Sequence, residues 1–413
     1  VKTEFPWFRI VCSDKPPVSV SNTDCTSTPG AMSCLSTAGT RGRQMVVKNP
    51  NPDWSHSDPL VWLVTGYRAG ERAQIMALAD ALGWPYEVKD LVHRRYAFRT
   101  NLLRGRDLHG IDRRKTSPLA PPWPDLIISA GMRNEPVCRW IRDQANGSVR
   151  IVHIGRPWAR PDNFDLVVST PQYRLPEHPV VLQNTTTLHR VTASHLEKAA
   201  RTWAPRLADL PEPRTAVILG GNSGPYTFGS RAAARLAQEA SRMANRSGGS
   251  LLVTTSARTP LSSWKAFKES LDAPAHCYDW APDPDTNPYY GYLALAESII
   301  VTCDSISMLS EACATRKPVY RFDLLAPRGT TSDLARESAG PEEDFRLGAW
   351  LYRLMMRYGP RRLSRDVSLV HERLISSGHA VWLGETFPDA GPPALSDVDH
   401  AVQRVHALFP GRE

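Results

Sequence analysis

Two successive runs of short apolar segments, each closed by small residues and followed by helical spacing, constrain this chain more than anything in its composition. The first run opens with residues 60–65 (LVWLVT), ending at Gly66, and helical spacing over 71–82 follows at Ile75, Leu78, Ala79 and Leu82. Residues 125–129 (DLIIS) form a second strand, closed by Ala130-Gly131 and followed by a helix at 135–144. Strands at 150–154 (RIVHI) and 164–169 (FDLVVS) complete the run. A helical stretch at 192–203 and a proline-rich linker at 205–214 lead to a restart. The second run holds strands at 215–219, 250–255, 298–302 and 318–321, with helices at 230–245, 261–270 and 308–314. Strand, turn and helix in this alternation predict parallel, doubly wound sheets, and the repetition predicts two of them.

Length agrees, because 413 residues exceed the ~250–300 at which a single core stops growing. The expected domains are 51–204, a linker at 205–214, and 215–385. A tail at 386–413 carries a helix at 401–408 that could cross back to the first domain. Residues 15–40 are dominated by Ser, Thr, Pro and Gly without apolar period, so 1–50 read as a disordered, start-site or cloning extension. No stretch reaches the ~18 uncharged apolar residues of a spanning helix, and no secretory signal is expected. Seven cysteines without a CxxC pair suggest a reducing compartment and no structural zinc.

The net charge of +8 allows an anionic partner, and 41 of the 50 cations are Arg, whose planar fork suits phosphate. A GC-rich genome would give the same Arg excess. Residues 93–115 concentrate this charge: eight cations, among them Arg94, Arg95, Arg99 and Arg104, stand against two carboxylates, with Tyr96, Phe98, Leu102 and Leu103 interleaved. That pattern fits contact with an anionic membrane surface or an ordinary solvated loop. No nucleic-acid motif accompanies it.

Ligands of doubly wound sheets lie at the carboxyl ends of strands, against helix N-termini. Four loops qualify. Gly220-Gly221-Asn222-Ser223-Gly224 follows a strand and could let backbone amides approach phosphate, or merely make a turn. Thr254–Pro260 offers Thr255, Ser256, Thr259 and Arg258, which could clamp a diphosphate. Residues 287–315 bring Asn287 and Tyr289, then Asp304, Ser305, Ser307 and Met308 at a helix start, with Ser310 and Glu311 in the next turn. A carboxylate at Glu311 is placed to accept both hydroxyls of a ribose. The fourth loop, with Gly66, Arg68, Gly70, Glu71 and Gln74, lacks GxGxxG, which argues against a dinucleotide site. Glu71, His153 and Asp162 are candidate catalytic bases, although His153 sits on a strand like a core histidine.

The run NPYYGYLALAESIIVTCDSISMLSEACATRKPVY, with GGNSG and TTSARTP, resembles the mitochondrial fission Elm-like family of bacteria and plants. GYRAGERAQ, PDLIISAG, TPQYRLP and RLSRDVSLVHERLISSGHA match as well, so the resemblance covers about residues 58–385. It departs at Ala257, where relatives usually carry Arg, and at Arg316, where Gly is commoner. Bacterial members are classed with the glycosyltransferases. The resemblance therefore implies an α/β, GT-B-like fold, two Rossmann-like doubly wound domains facing a cleft. The second would bind a nucleotide-sugar, UDP-linked, and the first a saccharide or lipid-linked acceptor. A weaker similarity is to the peptidoglycan enzyme that adds N-acetylglucosamine to a lipid-linked precursor. Its Gly-Gly-Ser loop resembles Gly220–Ser223, and its ribose-holding Ser-Glu pair resembles Ser310-Glu311.

These similarities imply a metal-independent transferase without cofactor, cytoplasmic or peripheral on the inner membrane, working on envelope polysaccharide or lipid. Two alternatives stand beside it: a sugar-nucleotide epimerase of the same fold, and a non-catalytic, membrane-associated interaction protein.

Overall fold

A computed structural model describes residues 58–97, 105–281, 287–324, 346–359 and 365–410. The expected extension at 1–50, and Arg99 and Arg104, lie outside the described residues.

The first half alternates β1 (Val61–Thr65), α1 (Ala69–Leu82), β2 (Tyr86–Asp90), β3 (Leu126–Ala130), α2 (Glu135–Gln144), β4 (Arg150–Ile154), β5 (Leu166–Ser169) and β6 (Val181–Gln183). The second contains α3 (Ala193–Trp203), β7 (Arg214–Ile218), α4 (Ser230–Ser247), β8 (Ser250–Thr254), α5 (Leu261–Glu269), β9 (Ala275–Tyr278), α6 (Tyr289–Leu295), β10 (Ser298–Thr302), α7 (Ile306–Ala314) and β11 (Val319–Phe322). Then come α8 (Leu347–Tyr358), α9 (Ser368–Ser376), β12 (Val381–Trp382) and α10 (Asp397–His406).

Each half builds one six-stranded, wholly parallel sheet, ordered β2-β1-β3-β4-β5-β6 and β12-β11-β10-β7-β8-β9. Read from β9, the second is the strand order of a dinucleotide-binding sheet, and the first begins as in flavodoxin-like sheets. The expected α/β architecture is therefore present. The central strands β1, β3, β8 and most of β7 and β10 are fully buried, as both faces of a parallel sheet demand. Helix α4 turns small residues, Ala233, Ala237, Ala240 and Ala244, onto the second sheet and ends at Gly248 in the left-handed conformation. Order reverses between β1 and β3, and again between β7 and β10. Those two switch points are where a crevice must open.

The chain crosses between halves earlier than the expected linker at 205–214. Leu188 packs into the first core, whereas Val191, Trp203 and Leu207 belong to the second. Helix α3, expected on the first half, thus covers the second, its Trp203 ring meeting Tyr292 edge-on at 6.4 Å. The tail returns. In α10, Ala401 and Val405 pack into the first core, and His406 and Phe409 meet the Trp84 ring at 4.8 and 5.4 Å. Asp397 secures this crossing: its carboxylate accepts from Thr185 N (2.9 Å), Thr186 N (2.8 Å) and Thr186 Oγ1 (2.6 Å). Among the described residues no helix is long and apolar enough to cross a membrane.

The Asp397 contacts give a first expectation. Asp397→Ala leaves a buried amide and hydroxyl on Thr186 and the half-buried Thr185 amide without an acceptor, which should cost about 3 kcal/mol. Urea unfolding should register that loss, with Asp397→Asn intermediate. A loss below about 0.5 kcal/mol would show that the tail docks by apolar packing alone.

Candidate functional site

At the switch point of the second sheet, β7 runs into Gly220–Gly224 and β10 into Asp304 at the start of α7. Gly220 N donates to Thr302 Oγ1 (2.8 Å), and that hydroxyl donates to Asp304 Oδ1 (2.7 Å). Gly221 N donates to Asp304 Oδ2 (2.9 Å), and Arg258 Nη2 lies 3.1 Å from the same oxygen. The Asp304 carboxyl is wholly buried, and burial raises its pKa against the pull of Arg258 and the Gly221 amide. Two glycines are obligatory for this approach. A Cβ on Gly220 would sit 2.1 Å from Asp304 Oδ1, and one on Gly221 2.0 Å from the Arg258 carbonyl oxygen.

The glycine loop is therefore a packing device first. Its Gly220, Gly221 and Ser223 amides already donate, the last to Tyr226 O. The neighbouring hydroxyls stitch it in place: Ser256 Oγ and Thr259 Oγ1 donate to Gly220 O, and Asn222 Oδ1 accepts from Phe228 N. Thr255 Oγ1 bonds Asp279 and accepts from Trp280 N, which ties down the end of β9. These side chains shape the crevice wall instead of lining it with free donors.

The N-terminus of α7 differs. Ser305 caps it without a side-chain bond, so the amides of Ile306 and Ser307 are left by the helix itself. Together with the helix dipole they favour an anion. Arg258, 40% exposed at its side chain, reaches the crevice from one side. Arg365, which the sequence reading did not single out, arrives from the other. It is exposed, donates to Ser223 Oγ at 3.5 Å, and has its backbone fixed by two hydrogen bonds with Tyr352 Oη.

Along α7, Met308 packs against the second core, and Ser310 and Glu311 face different neighbours. Ser310 is buried; its hydroxyl accepts from Thr187 N (3.1 Å) and Thr187 Oγ1 (3.0 Å) and donates to Ile306 O (2.8 Å). It joins the halves, so the ribose role implied by resemblance does not fit its hydrogen bonds. Glu311 accepts from Tyr289 Oη (2.6 Å) and Tyr290 Oη (3.3 Å), two hydroxyls held side by side on one carboxylate. Burial raises the Glu311 pKa, and both phenols oppose the rise. Asn287 Oδ1 accepts from Tyr289 N at the start of α6, and the Tyr290 ring lies 4.3 Å from that of His195.

The first sheet brings its own loop to its switch point. Glu71, in the first turn of α1, pairs with Arg68 at 3.0 Å, and its carboxylate fills the space left by Gly131 at the end of β3. Gln74 donates to Gly70 O, and Gly66 lies against Asn134. Tyr173 links this loop to the second half. Its phenol, with a pKa raised by burial, lies within electrostatic range of Arg365, Glu71 and Arg68. Beside it Arg174 forms an ion pair with Asp366, whose amide donates to Gln172 O (2.9 Å).

Of the three candidate bases, only Glu71 stands at a switch point. His153 is fully buried in β4, its ring 5.2 Å from that of Phe164, and burial lowers its pKa to about 4. It is a core residue. Asp162 is exposed and paired with His178 at 2.9 Å. It lies three residues ahead of Asp165, which pairs with Arg150 at the start of β4, so it occupies the amino edge of the sheet, away from the crevice. Two Asp-x-Asp spacings occur, at 283–285 and 397–399. The first lies outside the described residues, and Asp397 of the second is committed to docking the tail. Among the described residues no group of three or more His, Cys, Asp or Glu could hold a metal ion.

The family model for mitochondrial fission ELM1 matches residues 69–336, more than half of the chain. The mitochondrial fission protein ELM1 of Arabidopsis thaliana is 31% identical over 221 residues, covering 48% of this chain and 51% of that protein. The chain thus spans about half the length of that relative. An uncharacterized protein of Rickettsia prowazekii (strain Madrid E) is 26% identical over 298 residues, 63% of this chain and 82% of that one. Among solved structures, UDP-GlcNAc 2-epimerase from Methanocaldococcus jannaschii is 10% identical, with a TM-score of 0.44 covering 84% of this chain and 99% of that one. The chain belongs to the mitochondrial fission ELM1 family.

Proposed function

We propose that the chain is a glycosyltransferase that takes a sugar from a UDP-sugar and passes it to a saccharide or lipid-linked acceptor of the cell envelope. The observation that carries this reading is the convergence of Arg258, Arg365 and the start of α7 on one switch point, with Glu311 less than two turns along the same helix. A diphosphate at the helix start would meet two guanidinium groups and unpaired amides, which stabilise the charge of a departing nucleotide without a metal. A ribose diol would take the two positions on Glu311 that the hydroxyls of Tyr289 and Tyr290 hold. Glu71, in the first turn of α1 at the first sheet's switch point, is the carboxylate that would deprotonate an acceptor hydroxyl. Within residues 93–115, Arg94 and Arg95 are exposed and would meet an anionic membrane on its cytoplasmic side, where the acceptor is presented.

A second reading, nucleotide-free and non-catalytic, draws on the occupied glycine-loop amides and the two phenols already on Glu311. Titration with UDP, then release of free UDP from a panel of UDP-sugars, separates the readings. Transfer requires both binding and acceptor-dependent UDP release. Epimerisation gives a new UDP-sugar with binding intact, and absence of any nucleotide binding leaves only the second reading.

Substitutions should divide the nucleotide into parts. Glu311→Ala should weaken uridine and UDP alike, by roughly 10- to 100-fold for the loss of two hydrogen bonds to a charged group. Arg258→Ala and Arg365→Ala should each weaken UDP by about tenfold and leave uridine within about twofold, since charge-assisted bonds to phosphate alone are lost. Isothermal titration reads both ligands. Equal losses of uridine and UDP in the arginine variants would contradict the diphosphate assignment.

A further inference from the structure

Helix α8 is amphipathic in the opposite sense from an ordinary surface helix. Leu347, Trp350, Leu351, Leu354 and Tyr358 are between 42% and 73% exposed. Their spacing places all five within about 100° of arc at ~100° per residue, one continuous outer stripe. The inner face carries Ala349, which is buried, and Tyr352, whose ring lies against Gly224 and whose hydroxyl fixes the backbone of Arg365. Arg346 at the start of the helix donates to Gly224 O (2.7 Å) and Tyr226 O (2.9 Å). The helix is thus bolted to the glycine loop on one side and presents bare apolar surface on the other.

Charge decides what that surface fits. Residues 346–359 contain three arginines and no Asp or Glu. At the helical repeat Arg353 and Arg357 fall along one edge of the stripe, beside Trp350, and both are exposed. Leucines with a Trp and a Tyr on one face, edged by cations, match the boundary between acyl chains and anionic headgroups. A contiguous apolar patch of this kind marks an interaction surface. Residues 93–115 do not supply one: Leu108 and Ile111 are buried, and Tyr96 is their one large exposed hydrophobic side chain among the described residues.

We propose that α8 lies flat on an anionic lipid bilayer, its stripe among the acyl chains and Arg353 and Arg357 at the headgroups. The glycine loop and Arg365, which α8 holds directly, then stand at the membrane surface. This deepens the lipid-linked-acceptor reading, yet vesicle binding is measured without any sugar transfer, so the two fail independently.

The test is co-sedimentation of the whole chain with vesicles of phosphatidylglycerol and phosphatidylcholine in equal parts, against phosphatidylcholine alone. The parent should bind the mixed vesicles and not the neutral ones. Trp350→Ser with Leu354→Ser should lower binding by about tenfold or more, and Arg353→Ser with Arg357→Ser should do the same while steepening nothing in thermal unfolding. Arg94→Ser with Arg95→Ser, which keeps the stripe and the cations of α8, should lower binding by less than the stripe variant does. Equal binding by the stripe variant and the parent overturns the proposal, as does a parent that binds neither vesicle. Sedimentation velocity covers the remaining occupant: a parent dimer that the stripe variant converts to monomer, with vesicle binding unchanged, would assign the stripe to a second copy of the chain.

Discussion

The second half is organised around one buried carboxylate. Asp304 lies with its side chain wholly removed from solvent, and such a group is tolerated only with close compensation. Compensation comes from three directions: the Gly221 amide, the Thr302 hydroxyl and the Arg258 guanidinium. Each fixes a further piece. The amide can approach only if residues 220 and 221 lack side chains, which sets the shape of the turn after β7. Arg258 can reach only if the loop after β8 folds over that turn, and Ser256 and Thr259 hold it there through Gly220 O. Three strand ends, those of β7, β8 and β10, are locked together at the switch point through a single side chain.

The two halves meet by a different rule, polar contacts made by backbone as much as side chain. Ser310 on α7 receives both the amide and the hydroxyl of Thr187, and Asp366 receives Arg174 while its own amide donates to Gln172 O. Arg174 adopts a left-handed backbone conformation, φ 49°, which a non-glycine residue keeps only where its surroundings hold it. Residues 170–176 and 365–380, described parts of two segments that carry the family resemblance, come together at this contact. Their joint consequence is the position of Arg365: its neighbour Asp366 anchors the segment to the first half while Arg365 itself reaches Ser223 on the second.

Central strands and their loops were legible in the sequence because a strand buried on both faces leaves a continuous apolar run, and 60–65, 125–129, 215–219 and 298–302 all have one. The edge strands β2, β6, β9 and β12 were not, since half-buried segments such as Tyr86–Asp90 and Ala275–Tyr278 carry no such run. Helix α3 was visible as a helix, but which core it covers depends on Trp203 packing at Tyr292, a contact far apart in sequence. The site loops were found from strand-end position and composition, whereas the roles within them were not. Thr255 and Ser310 read as ligand contacts because a hydroxyl near a helix start offers the same atoms to a ligand as to Asp279 or Thr187. Arg365 escaped notice because one Arg among 41 gains meaning only from Ser223 and Tyr352. The helix at Leu347–Tyr358 also lay outside the expected elements, although its apolar spacing is regular.

What the crevice would offer the proposed nucleotide is exchange rather than vacancy. Arg258 already serves Asp304, and Glu311 already accepts two phenols. A ligand that takes these groups replaces one set of hydrogen bonds by another, and each replacement nets only about 0.5–1.5 kcal/mol. The gain must come from what has no such partner to give up: the first amides of α7 and the field at its N-terminus. Arg258 can serve both, because its Nη2 is held by Asp304 while the rest of a 40%-exposed side chain still faces the crevice. A dianionic diphosphate at the start of α7 would add charge beside the helix N-terminus and two guanidinium groups, one of which already balances Asp304. An uncharged ligand of the same shape would merely trade places with two tyrosine hydroxyls. On the proposed reading the arrangement would select for charge first and for the nucleoside second, the order a site must follow if its chemistry is the departure of a nucleoside diphosphate.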